Sequence, residues 1–91
     1  ACALGQASSS VMARHVVGSD ARTLRALRET MRKMLQENGA PPEGRFDDLR
    51  FLEPVRDYKA RHASTLLTFD AVVDAIDQIE AKRQALEMTT C

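Results

Sequence analysis

Cys2 opens directly onto Ala3-Leu4-Gly5-Gln6-Ala7-Ser8-Ser9-Ser10, a run of small residues that continues into Val11-Met12-Ala13-Arg14-His15-Val16-Val17-Gly18. A thiol in a turn just ahead of a helix lies in the positive end of the helix field, which favours thiolate. Thiolate is both the nucleophilic and the metal-ligating form. Small side chains on the first helical turns are poor core fillers, and they let a backbone, a sulfur or a metal come close. The competing reading is a small apolar cysteine held in a turn. His15, on the apolar stripe of the same helix, reads as a packed or surface histidine. Asp70, Asp74 and Asp77 recur at helical steps and could imitate a carboxylate metal site, but no paired Glu-x-x-His accompanies them. No Ser-His-Asp arrangement or Gly-rich phosphate loop is present. A Cys2–His62 dyad is the one enzymatic arrangement left.

The composition narrows the partners. With 91 residues the chain is one small domain or part of one, marginal in the surface it can bury. Hydrophobic residues make up 44% and aromatics only 4%, so the core must be aliphatic. Lys+Arg and Asp+Glu each number 13, and that neutrality gives no pull toward nucleic acid or an anionic membrane. No apolar run approaches the ~20 residues that span a bilayer, and no signal-peptide pattern precedes the first helix. Cys2 and Cys91 could bridge only if the termini meet; free thiols in a reducing cytoplasm are expected instead. Cys91, in the polar tail Met88-Thr89-Thr90-Cys91, reads as incidental.

The positioning elements read as helices throughout, since strand-like alternation is absent. A first helix is predicted over Gln6–Val17, with Gly18 at C′. Ser19-Asp20 offers an N-cap to a second helix over Ala21–Asn38, whose stripe is Leu24, Leu27, Met31, Met34 and Leu35. The same helix carries Arg22, Arg25, Arg28, Arg32 and Lys33 against the single acid Glu29, either a solvated face or a docking surface for an acidic partner. Asn38-Gly39-Ala40-Pro41-Pro42-Glu43-Gly44 ends it. A short helix over Phe46–Leu52 should bury Phe46, Leu49, Phe51 and Leu52 before Pro54 terminates or kinks it. Val55–Arg61 is a connector to a long helix running from His62-Ala63-Ser64 to Glu87. Its predicted buried stripe is Leu66, Phe69, Val73, Ile76, Ile79 and Leu86, with Val72 at the edge. Acids early and Lys82-Arg83 late suit the helix macrodipole.

Cys2-Ala3-Leu4-x-Gln6-Ala7-Ser8-x-Ser10, closed by Val17-Gly18, resembles the second cysteine motif of the U-type iron–sulfur cluster assembly scaffolds (the IscU/SufU/NifU N-terminal family). The likeness is strongest to the SufU-like branch and runs to near residue 80. It implies a mainly α chain, the helical portion of an α+β SufE/IscU-like scaffold domain. The three-stranded sheet and the first cysteine, in a Cys-Gly-Asp loop, would precede it. It further implies one domain over residues 1–91: 1–18 the second-cysteine motif and helix, 19–45 an insertion helix and loop, and 46–91 the short helix, third-ligand region and long C-terminal helix.

The function implied is a scaffold or sulfur acceptor that binds Fe, Zn or a nascent [2Fe–2S] cluster through three cysteines and an aspartate. Cys2 matches the second cysteine. The third belongs to a pattern like Ala-Arg-x-x-Cys-Ala-x-Leu, and here the segment reads Ala60-Arg61-His62-Ala63-Ser64-Thr65-Leu66-Leu67. Ser64 therefore occupies the third-cysteine position. Its hydroxyl is a poor ligand, and its other reading is N-cap of the last helix. His62 either substitutes for the missing thiol by a small loop shift, as imidazole does in Rieske-type centres, or is an ordinary capping histidine. Arg61 matches a basic position that would stabilise thiolate on Cys2. The implied partners are a cysteine desulfurase and downstream apo-proteins, and the helical chain alone should self-associate through an exposed aliphatic face. The alternative function is a helical interaction module that kept the fold and lost cluster binding.

Overall fold

Gly18 and Asp20 separate the first two helices as their chemistry dictates. Gly18 takes φ +88°, a left-handed conformation open to glycine, while the extended Asp20 accepts the Thr23 N–H at 2.7 Å and caps the second helix. The computed structural model describes residues 3–89. In it, α1 spans Ala3–His15, α2 spans Ala21–Gln36 and α3 spans His62–Thr89; two 3-10 segments, Gly44–Asp57 and Lys59–Arg61, join α2 to α3. The described residues contain no strand, and the mainly α class holds.

The two early helices end sooner than their patterns predict. α1 gives way to a turn after His15, so that Ser19 N–H reaches the Val16 carbonyl and Ser19 Oγ–H the His15 carbonyl. α2 stops at Gln36. Asn38 adopts φ 54°, and the Gly39 N–H returns to the Lys33 carbonyl at 2.9 Å. A Cβ on Gly39 would sit 3.1 Å from the Lys33 backbone, a tight approach that glycine leaves open.

α2 buries the whole of its predicted stripe, with Met31 and Met34 wholly sequestered. The unbranched methionines fill the irregular space between helices. α3 is the spine against which both α1 and α2 pack. Arg25 of α2 pairs with Asp77 and Glu80 while Arg28, further along α2, pairs with Asp70, so α2 and α3 run antiparallel.

The stretch Gly44–Asp57 departs from the helix expected over Phe46–Leu52. After a kink at Phe46 (φ −102°, ψ 15°) it continues as a 3-10 coil through Pro54. At 3.0 residues per turn, positions three apart eclipse. Phe46, Leu49, Leu52 and Val55 therefore form one buried ridge, and Phe51 falls on the neighbouring ridge with Pro54. Phe51 is 49% exposed, which corrects its predicted place in the core.

α3 buries Leu66, Phe69 and Val73, with Val72 and Ile76 partly covered. Ile79 and Leu86, predicted as buried, are 59% and 66% exposed. A helix of 28 residues extends roughly 42 Å and outruns partners of 13 and 16 residues. The periodicity continues after the partners end. No helix of the described residues is long and apolar enough to cross a membrane.

The small residues of α1 also serve packing, contrary to the expectation that they are poor fillers. Ser8 is fully buried, and the Ser9 and Thr68 hydroxyls lie 2.7 Å apart across the α1–α3 contact. A short side chain lets the helices approach closely enough for that bond.

Candidate functional site

The entry to α3 is built by successive backbone turns. The Tyr58 N–H donates to the Val55 carbonyl at 2.8 Å, and the Arg61 N–H donates to the Tyr58 carbonyl at 2.9 Å. Tyr58 itself, at φ −121° and ψ 76°, is the break between the two 3-10 segments. Lys59–Arg61 then runs straight into α3. Thr65, fully buried, donates its hydroxyl proton to the Arg61 carbonyl at 2.8 Å.

His62 is the first residue of α3 and is 8% exposed. Its Nε2 lies 3.1 Å from the carbonyl oxygens of both Val55 and Arg56. A carbonyl oxygen only accepts, so Nε2 carries the proton and Nδ1 holds the lone pair of the neutral ring. Metal-ligating histidines are oriented by the same kind of tie, one ring N–H bonded to a backbone carbonyl. The bonds also hold the connector against the start of α3, a structural task in its own right. The ring lines an open hollow of about 900 Å³ with Leu35, Gln36, Asn38, Arg56, Asp57 and Lys59.

Ser64 is half-buried and is the third residue of α3, not its N-cap. The 3-10 turn supplies the helix entry, so a capping hydroxyl has no place there. Residues two apart on a helix do not face one another. The structure therefore does not aim His62 and Ser64 at a common point. For His62 to stand in for a thiol at position 64, its ring must leave the Val55 and Arg56 carbonyls or the first turn must unwind. Arg61 is exposed and lines a hollow with Phe51, Pro54, Val55 and Tyr58. Cys2 and Cys91 lie outside the described residues.

The remaining ionisable candidates are engaged in structure. Arg25 meets Asp77 at 2.7 Å and Glu80 at 2.8 Å, and bonding to Glu80 and then Asp77 pushes its guanidinium pKa up. Arg28 meets Asp70 at 2.8 Å, and Asp74 accepts from Gln78 at 2.8 Å. The aspartates that could imitate a carboxylate site are thus largely interhelical ties, and part of the basic face of α2 is spent on them. Arg32 bonds Glu29 and Glu37, and the Arg32 bond holds the Glu29 carboxyl below its ordinary range. His15 packs edge-on against Phe46, with ring centroids 5.7 Å apart. Among the described residues no three His, Cys, Asp or Glu side chains converge as a metal centre. Those residues fall short of a four-ligand site by themselves, whatever Cys2 contributes.

A solved structure gives the likeness. The crystal structure of a nitrogen-fixing NifU-like protein (N-terminal) from Brucella abortus superposes with a TM-score of 0.88 at 72% identity, over 90% of this chain. The chain is similar to a NifU-like protein. It spans 57% of the length of that NifU-like chain. No protein-family model matches the chain, and no curated protein matches it.

Proposed function

We propose that this chain is the helical part of a U-type iron–sulfur cluster assembly scaffold, acting as a carrier of sulfur, iron or a nascent cluster and not as an enzyme. The observation that carries the reading is the 72% identity to the Brucella NifU-like protein over 90% of the chain. It supports a scaffold of that general kind; a cysteine desulfurase as sulfur donor, apo-proteins as recipients and a cytoplasmic setting belong to the proposal. Cys2 is the acceptor in this reading. Its thiolate attacks the outer sulfur of a persulfide on the donor; the donor's S–S bond breaks as the new one forms, and the donor cysteine leaves as thiolate. Arg61 would favour thiolate on Cys2. In this reading His62 joins Cys2 in holding Zn or Fe once its ring leaves the Val55 and Arg56 carbonyls or the first turn of α3 unwinds.

The test is metal, sulfide and sulfane-sulfur analysis of the longest native protein, purified anaerobically without thiol reductant, in wild-type and Cys2→Ala forms. Metal or sulfane sulfur that Cys2→Ala removes supports the reading, and identical content in both proteins refutes it. Ser64 at the third-cysteine position favours a second reading, a helical interaction module that no longer binds clusters. Ser64→Cys bears on the same choice: a gain in metal or cluster occupancy marks position 64 as a ligand position of a scaffold, and no gain favours His62 as the working ligand or no site at all.

A further inference from the structure

Only four residues of this chain are aromatic in the phenylalanine–tyrosine–tryptophan sense, and two of them, Phe51 and Tyr58, line one open hollow of about 420 Å³. Phe51 is 49% exposed and Tyr58 61%. Pro54, Val55 and Arg61 complete the lining. The geometry behind this patch is specific. The 3-10 coil puts Phe51 in line with Pro54 on its outer ridge, and the break at Tyr58 carries that ring to the same side as Arg61. Phe46 and Phe69 are buried in the core, whereas these two rings are exposed together, which is costly unless something covers them. Tyrosine, phenylalanine and arginine are also the side chains enriched where proteins bind one another.

Charge selects the occupant. Arg61 is the only charged residue in the lining. The ion pairs among the described residues do not use it, and they do not use the nearby Lys59 or Arg50 either. Glu53, an acid on the same coil, is turned to Arg56 at 3.3 Å. The hollow thus offers apolar and aromatic walls together with a guanidinium that the ion pairs of the described residues do not use.

We propose that the Phe51–Pro54–Tyr58–Arg61 hollow is a docking site for a short acidic segment of a partner protein, an apolar side chain entering between the rings and an adjoining carboxylate meeting Arg61. The guanidinium takes a carboxylate in paired, charge-assisted hydrogen bonds. His62 lines a separate hollow with Leu35 and Gln36, and the proposal does not depend on the chain handling clusters.

The test uses the full 91-residue chain and a fluorescein-labelled Gly-Ser-Leu-Phe-Glu-Asp peptide. Fluorescence anisotropy gives affinity, and amide shifts of the ¹⁵N-labelled protein locate the contact. Expected is saturable binding with shifts centred on residues 51–61. Replacing Glu-Asp by Gln-Asn in the peptide, or Arg61→Gln in the protein, should each weaken it about tenfold, the equivalent of ~1.4 kcal/mol. Lys82→Gln, far along α3, should leave it unchanged. Arg61 enters the fold through its backbone groups, so Arg61→Gln should keep the wild-type melting curve; Tyr58→Ser, at an exposed ring, is the second variant and should also weaken binding. No binding below about 1 mM peptide, equal affinity for acidic and neutral peptides, or shifts confined to another face overturns the proposal.

Discussion

The sharpest expectation concerns two neighbours on the 3-10 coil. Leu52 is fully buried on the Phe46–Leu49–Leu52–Val55 ridge, whereas Phe51 is half exposed on the next. Leu52→Ala removes methylene groups from a packed interior and leaves a cavity, which typically costs about 2–5 kcal/mol. Phe51→Ala removes a larger side chain from a site already wetted over half its surface, and should cost no more than about 1 kcal/mol. A chain of this size has a total stability of roughly 5–14 kcal/mol, so Leu52→Ala consumes a large share of it. With about 4–8 °C per kcal/mol for a domain of this length, its melting temperature should fall by roughly 8–40 °C, against less than about 8 °C for Phe51→Ala. Circular dichroism melts and urea titrations of the three proteins side by side measure both. If Phe51→Ala destabilises as much as Leu52→Ala, the period of this segment is not three, and the ridge argument and the docking hollow built on it both fail.

Two other outcomes come from the ends of the helices. The Thr23 hydrogen bonds hold the Asp20 carboxyl below the ordinary aspartate range. A carboxyl depressed on folding adds stability that is in place above its unfolded pKa and is lost as pH falls through the lower folded value. Melting temperature should therefore drop as pH is taken below about 4, and Asp20→Asn should flatten that slope in a pH series of melts; an unchanged slope would mean the cap charge contributes nothing. His62→Phe keeps an aromatic ring, though a larger one, and strips the Val55 and Arg56 carbonyls of their donor. A loss of about 1–3 kcal/mol is expected in urea unfolding, and a variant as stable as wild type would show that those bonds do not secure the connector to α3.

The amphipathic spacing of Leu24, Leu27, Met31, Met34 and Leu35, the Asp20 cap and the Gly18 stop are local matters, so the sequence alone determined α2 and the turn before it. The helical class and the long last helix were equally legible. What sequence could not decide was how far each stripe is covered. Ile79 and Leu86 keep the spacing of buried residues, yet burial depends on where the partner helices end. Nor could it choose a period of 3.0 over 3.6 for Phe46–Val55, because a short apolar run satisfies both and only packing of its ridge against the helices selects one. The same holds at the site. Arg61, His62 and Ser64 could be singled out by type and order, but tertiary structure alone turned the His62 ring onto two carbonyls, set Ser64 on a different face, and left Arg61 beside two exposed rings. Side-chain direction belongs to the backbone that carries it, and that backbone takes its shape from contacts distant in the chain.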